Sequence, residues 1–313
     1  MNSPVTPSAG SPAKPPFGEP AKPSAGDPDM SSPPRHAASL VLLRDAPEGL
    51  QVLLLERPRE DNVLSGAHVF PGGKLDADDS LESSLKRFDA ELGSLHARLG
   101  EPELDIIESC ALFMAAVREA FEESGLLLVR GADEALAARA RAMRHEGRAF
   151  SEILHSLDLS LDALSMHPWS RWVTPKTSTM MRRRFDTRFF VACLPQGQQI
   201  STDAREVVSA KWLAPRDALE RYWAGEIEMA GPQIMTLAHL SRYADVDQVM
   251  RDAATRTPPI IRPEPIDTEH GRMICYPGDP AHPVAQRAMP GPTRMLVDGR
   301  RYGPLEGFDA FFS

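Results

Sequence analysis

Residues 118–125 read Arg118-Glu119-Ala120-Phe121-Glu122-Glu123-Ser124-Gly125, and the fold of the chain is read outward from them. The three glutamates stand at i, i+3 and i+4, so on a helix turning ~100° per residue they share one face. Phe113, Val117 and Phe121, spaced by four, point roughly the other way and are expected in a core. The arrangement works against the helix. Gly125 is the expected C′ residue, and anions in the turn before it are disfavoured by the helix dipole by ~0.3–1 kcal/mol each. Glu119 repels both neighbours, and Arg118 precedes Glu122 by four, the weaker order for an ion pair. A hard divalent cation turns this cost into a gain, because clustered carboxylate oxygens suit Mg²⁺ or Mn²⁺. Two readings therefore stand side by side, a solvated acidic helix end and a metal site.

The segment upstream bears on that choice. Residues 66–79 run Gly66-Ala-His-Val-Phe-Pro-Gly-Gly-Lys-Leu-Asp-Ala-Asp-Asp79. With the helix they resemble the signature of the Nudix hydrolases, Gly-x5-Glu-x7-Arg-Glu-U-x-Glu-Glu-x-Gly-U, where U is apolar. Gly73 matches the first glycine; Arg118, Glu119, Ala120, Glu122, Glu123, Gly125 and Leu126 match the second half. Two departures stand out. Asp79 replaces the first glutamate, and residues 80–117 fill what is a seven-residue spacer in the family. One branch, the peroxisomal coenzyme A diphosphatases of animals, carries such an insertion. The likeness to that branch continues through Thr174-Pro175, Arg184-Phe185-Asp186-Thr187, Glu206-Val207-Val208 and Trp212, covering about residues 37–280. A further coenzyme A pattern, Arg-x3-Gly-x3-Phe-Pro-Gly-Gly, is kept at Gly66 and Phe70–Gly73, but Asn62 stands in place of its arginine.

The resemblance implies an α/β/α sandwich with a mixed sheet. The order of strand-like and helix-like segments independently gives an α/β domain, here with helical insertions. Glu119, Glu122 and Glu123 are the candidate metal ligands, joined by the Gly73 carbonyl, and Mg²⁺ or Mn²⁺ is the expected cofactor. Divalent cations ease attack on a phosphoanhydride by neutralising its charge. Arg118 is expected to orient a glutamate of the box. Glu119 is the first candidate for general base, and Glu206 on a later segment is the second. Gly72 and Gly73 are expected to allow close backbone approach, with positive φ, and to border the substrate. Of Arg182, Arg183 and Arg184, alternation puts the outer two on one side of a strand; Arg184 is taken as the phosphate contact, against a solvated cluster. His68 reads as a hydrogen-bonded core histidine, and Trp169, Trp172 and Trp212 as core or as adenine platforms.

Three functions compete. The first is a pyrophosphohydrolase that cleaves coenzyme A or acyl-coenzyme A to adenosine 3′,5′-bisphosphate and (acyl-)4′-phosphopantetheine. The second is the same enzyme class acting on NADH or ADP-ribose, which Asn62 favours. The third is a non-catalytic regulator that binds nucleotide or metal, supported only by Asp79 and the lengthened box.

Composition sets the outer limits. A formal charge of −9 argues against general nucleic-acid binding, which needs a basic surface. It leaves room for an anionic small-molecule substrate held by local cations. Cys110, Cys193 and Cys275 are few and scattered through apolar stretches, which reads as buried, reduced thiols. No apolar run approaches the ~20 residues of a bilayer span. A secretory start and a peroxisomal Ser-Lys-Leu ending are both missing, so the expected compartment is the cytoplasm. The sequence carries no signal for an oligomeric state.

Along the chain, residues 1–34 hold ten prolines and are expected to be disordered. Residues 35–255 form the expected catalytic domain, with insertions at 80–110 and 131–165. Strands are expected at 39–44, 51–56, 67–70, 126–130, 169–174, 184–194 and 206–213. Leu81, Leu85, Phe88, Leu92, Leu95 and Leu99 have heptad-like spacing and predict one amphipathic helix, as a lid over the cleft or a structural flap. The next helix is expected to begin near Pro102 and run to Ser124. Residues 132–164 read as two or three short helices whose arginines form a solvated face. Later helices are expected at 215–222, 232–243 and 246–253, and 256–313 as an irregular extension with one edge strand at 273–276.

Overall fold

The computed structural model describes residues 32–59, 65–176, 183–202 and 207–313. Asn62, Arg182, Glu206 and all but the end of the proline-rich stretch lie outside the described residues.

Twelve-residue strand β1 (Arg35–Ala46) is the axis of the main sheet. It reads Ala-Ala-Ser-Leu-Val-Leu-Leu, a continuous apolar run of the kind that is buried on both faces. Its even members Ala38, Leu40 and Leu42 join one core and its odd members Val41 and Leu43 another. The same alternation sorts β2 (Gly49–Glu56), with Leu53 and Leu55 on the first side and Val52 and Leu54 on the second. Period-two alternation thus divides the molecule into two helical layers around one sheet.

The other strands are β3 (His68–Val69), β4 (Gly72–Lys74), β5 (Met166–Val173), β6 (Phe185–Cys193), β7 (Ser209–Leu213) and β8 (Ile260–Ile261). Their order is β3-β2-β1-β6-β5-β8, with β4 paired to β1 and β7 to β2. β1 runs parallel to β6 and antiparallel to β2 and β4, so the sheet is mixed.

On the first face lie α1 (Glu82–Leu85), α2 (Leu92–Leu99), α3 (Ile106–Ser124), α4 (Glu134–His145) and α5 (Phe150–Ser156). On the second lie α6 (Pro215–Trp223), α7 (Gly231–Leu240) and α8 (Val246–Thr255). The insertion expected as one helix is two, broken over residues 86–91. Its Leu85, Phe88, Leu95 and Leu99 bury against the α3 side of the sheet. A buried ion network fastens it there. Glu101 accepts from Arg188 of β6 at 3.0 and 2.5 Å, and Arg171 of β5 lies 2.7 Å from Glu101 and bonds Asp186 twice. The insertion packs on the domain through these contacts, and no residue of 80–105 lines the main cleft.

Other differences have local causes. α3 starts at Ile106, beyond Pro102, because the Asp105 side chain accepts from the Glu108 N–H at 2.8 Å and caps it. Residues 126–130 form no strand; Leu127 instead exchanges both backbone groups with the Gln198 side-chain amide. Cys193 is exposed, whereas Cys110 and Cys275 are buried as expected. The largest departure is at the C-terminus. Residues read as irregular build a second, four-stranded antiparallel sheet from β9 (Glu264–Thr268), β10 (Gly271–Cys275), β11 (Arg294–Asp298) and β12 (Arg301–Gly303). It shares the second core through Tyr276, Met289, Met295 and Phe311. No helix among the described residues is long and apolar enough to cross a membrane.

Candidate active site

α3 ends at Gly125, which is left-handed (φ +71°) and returns its N–H to the Phe121 carbonyl at 2.8 Å. The helix carries no basic residue in its last turn, so its three glutamates do sit at the unfavourable pole. Phe113, Val117 and Phe121 are buried as the spacing required and fix which way the acids point.

Arg118 is the hub. The residue is 6% exposed, and its guanidinium donates to both oxygens of Asp79, Nε at 2.8 Å and Nη2 at 2.9 Å. It also donates to Glu119 Oε1 at 2.8 Å, Glu122 Oε2 at 3.2 Å and the Lys74 carbonyl at 3.0 Å. Burial opposes its charge, yet the carboxylates around it hold its pKa above the ordinary arginine value. Asp79, 1% exposed, also accepts from the Asp76 N–H at 2.8 Å. The shorter residue in the box thus finds its place in the 3-10 turn Ala77–Ser80, where it closes the loop onto the helix. The 80–110 insertion loops out between these two partners without separating them.

The acids divide between two hollows. Glu119 and Glu123 line a cleft of about 610 Å³, together with Gly72, Gly73 and Lys74. Glu122, drawn off by Arg118, lines a neighbouring hollow of about 320 Å³ with Asp76, Asp78 and Asp79. Burial raises the Glu119 carboxyl above the usual range, and Arg118 opposes the shift without cancelling it.

Gly72 and Gly73 make the close approaches expected of them, but neither has positive φ. Both are extended residues of β4, paired with Ser39 and Ala38. A Cβ on Gly72 would fall 2.6 Å from the Ala38 carbonyl oxygen, and one on Gly73 would fall 2.3 Å from Glu119 Oε1. The Gly72 N–H donates to Glu123 Oε2 at 3.0 Å. Two carboxylates therefore stand against a glycine pair that has no room for side chains. Among the described residues, no three His, Cys, Asp or Glu side chains converge as a ready-made metal cluster. The donors still suit a hard cation: carboxylate and backbone oxygens only, beside a space that any Cβ would fill.

Arg184, the expected phosphate contact, donates to the Thr174 carbonyl at 3.1 Å, while Arg183 lines the cleft. Arg35, Arg57 and Arg272 also line it; no sequence pattern links them, because they are isolated arginines on β1, in the loop after β2 and on β10. His68 is buried, but neither ring nitrogen has a hydrogen-bond partner among the described residues. Burial lowers its pKa, so it sits neutral in the sheet. Trp172 lines the cleft; Trp169 is core under Arg256, and Trp212 packs beneath Arg44.

Known proteins are similar to this chain in sequence and fold. The family profile described as the NUDT19 Nudix domain matches residues 96–240. The human acyl-coenzyme A diphosphatase NUDT19 is 30% identical over 275 residues, covering 74% of this chain and 72% of its own. The chicken protein of the same name is 26% identical over 304 residues, covering 80% of both chains. The crystal structure of a Nudix hydrolase from Alicyclobacillus acidocaldarius superposes with a TM-score of 0.55 at 30% identity, covering 70% of this chain and 96% of that one. With its split box closed by Asp79 and Arg118, the chain belongs to the Nudix family, in the NUDT19 branch, and is a hydrolase of phosphoanhydrides.

Proposed function

We propose that this hydrolase is a divalent-metal-dependent pyrophosphohydrolase. Its substrate is coenzyme A or acyl-coenzyme A, and its products are adenosine 3′,5′-bisphosphate and the corresponding 4′-phosphopantetheine. One observation carries the reading. A single cleft holds two carboxylates, Glu119 and Glu123, and the basic residues Arg35, Arg57, Lys74, Arg183 and Arg272, while the rest of its lining is largely apolar. A polyanion with a long uncharged arm fits that distribution, and a compact nucleotide does not need it. The names of the similar proteins support the same substrate class.

Glu119 and Glu123 would hold Mg²⁺ or Mn²⁺ with the Gly73 carbonyl, and Glu122 would join them from its place beside Arg118. The bound cation would supply charge neutralisation on the diphosphate. The remaining chemistry falls to the chain. Water attacks one phosphorus of the anhydride, and Glu119, kept basic by burial, accepts its proton. The bond from that phosphorus to the bridging oxygen breaks, and the bridging oxygen leaves on the other phosphate. Arg118 holds Glu119 in place, and the cleft arginines bind the phosphates.

The test is a substrate panel in Mg²⁺ and in Mn²⁺, read by product mass. Coenzyme A or its thioesters should be cleaved well above NADH and ADP-ribose. The latter two belong in the panel because Asn62 stands where the coenzyme A pattern has arginine. A clear preference for either would overturn the substrate assignment.

A further inference from the structure

The C-terminal sheet lies beyond residues 96–240, which match the Nudix domain, yet it walls the catalytic cleft. Register shows that one of its faces does so. Pro265 pairs with Ile274 across β9 and β10, and Val297 pairs with Tyr302 across β11 and β12. Directly paired residues share a face, and all four line the cleft, together with Arg272 and Tyr276. The alternate residues Met273 and Cys275 are buried on the other side.

The chemistry of this wall is specific. Pro265, Ile274 and Val297 offer no side-chain donor or acceptor and no flat ring. They cannot read the edges of an adenine or stack on it. The cleft's rings are Phe70, Trp172, Phe185 and Phe189 on the main-sheet side and Tyr276 and Tyr302 beside the wall itself; Tyr276 is buried, which leaves Tyr302 as the wall's one partly exposed ring, at the end of the apolar strip formed by Pro265, Ile274 and Val297. All three wall residues are partly exposed, so this apolar surface is open to a ligand rather than sealed in a core. It faces the same hollow as Glu119 and Glu123, so whatever covers it is part of the molecule being cleaved.

We propose that this face of the C-terminal sheet is the specificity wall of the enzyme and seats the acyl chain of an acyl-coenzyme A. The inference rests on the coenzyme A reading above and adds to it that the thioester, not free coenzyme A, is the favoured substrate. Chain length is then read by a segment outside the matched domain.

Competition kinetics test it. Decanoyl-coenzyme A and free coenzyme A are offered together to the full chain, and the ratio of their kcat/KM values is read by product mass. Each methylene that the wall takes from water should favour the thioester about fourfold. Ile274→Thr and Val297→Thr keep the branched shape but bring a hydroxyl to the wall, and each should cut the ratio at least tenfold. The ratio is an internal measure, so a partly unfolded variant does not mimic the effect. Val297→Phe should move the optimum to shorter chains. Inhibition by adenosine 3′,5′-bisphosphate separates the two halves of the substrate. If the threonine variants weaken that inhibition as much as they weaken decanoyl-coenzyme A cleavage, the wall seats adenine and the inference is overturned. Equal kcat/KM for the two substrates in the parent protein also overturns it, leaving the coenzyme A reading intact. If the parent cleaves neither, both fall together.

Discussion

Replacing Asp79 with alanine should be among the most damaging single changes outside the glutamates. Asp79 is 1% exposed and Arg118 6%, so little solvent screens the pair. The change removes two hydrogen bonds, at 2.8 and 2.9 Å, and leaves the guanidinium with Glu119, Glu122 and the Lys74 carbonyl. Breaking a buried ion pair by deleting one partner costs about 3–5 kcal/mol, and the lower part of that range is expected here because Glu119 and Glu122 still face the guanidinium. At roughly 2–4 °C per kcal/mol for large domains, the midpoint should fall by about 6–20 °C. The comparison that isolates the pair is a double-mutant cycle with Arg118→Met, read by urea unfolding. Asp79→Ala combined with Arg118→Met should cost clearly less than the sum of the two single changes, by about 2 kcal/mol or more, since neither charge is then stranded. Additive losses, or an Asp79→Ala variant within about 1 kcal/mol of the parent, would refute the view that this pair closes the split box.

The adjacent glycines should fail differently. In Gly72→Ala the new methyl meets the Ala38 carbonyl oxygen, so folding free energy should drop by about 1–3 kcal/mol in urea unfolding. In Gly73→Ala it meets the end of the Glu119 side chain, so turnover should drop about 100-fold with a smaller change in stability, a split readable from kcat beside the melting midpoint. Restoring the family residue in Asp79→Glu should lower the melting midpoint, because the buried site is already filled and the Asp76 N–H contact at 2.8 Å is lost. His239 is held near pKa 4 by burial, below its ordinary 6.5, so the unfolded chain takes up the proton first. Stability from this group is present above pH 6.5 and is lost as pH falls toward 4, by up to ~3 kcal/mol. His239→Phe should flatten that part of the stability profile measured by urea unfolding at successive pH values.

The main sheet and the helix of the box were legible because their signals are periodic. Phe113, Val117 and Phe121 announced the buried face of α3, and the apolar runs at 39–44 and 51–56 announced β1 and β2. What escaped depends on partners distant in sequence. Leu126–Val129 has strand composition, but its backbone is satisfied by Gln198, a contact no local pattern encodes. The heptad spacing across 81–99 was apolar in the right places, yet Phe88 and Leu161 pair as a bridge and break the helix between them. Proline at 263 and 265 hid the C-terminal sheet; Pro265 sits on β9, an edge strand, where its missing N–H is tolerated. At the site, the acids were read from spacing, and Gly72 and Gly73 from the resemblance to the Nudix signature. The arginines of the cleft were not, since only the fold brings Arg35, Arg57 and Arg183 together.

Calorimetric titration of Mn²⁺ into the parent chain and into a variant carrying both Glu119→Gln and Glu123→Gln bears most directly on the cation at the end of α3. The parent should bind with measurable heat, and the variant should lose at least tenfold in affinity while keeping its fold by circular dichroism. No heat with the parent, or equal affinity in the variant, would contradict it.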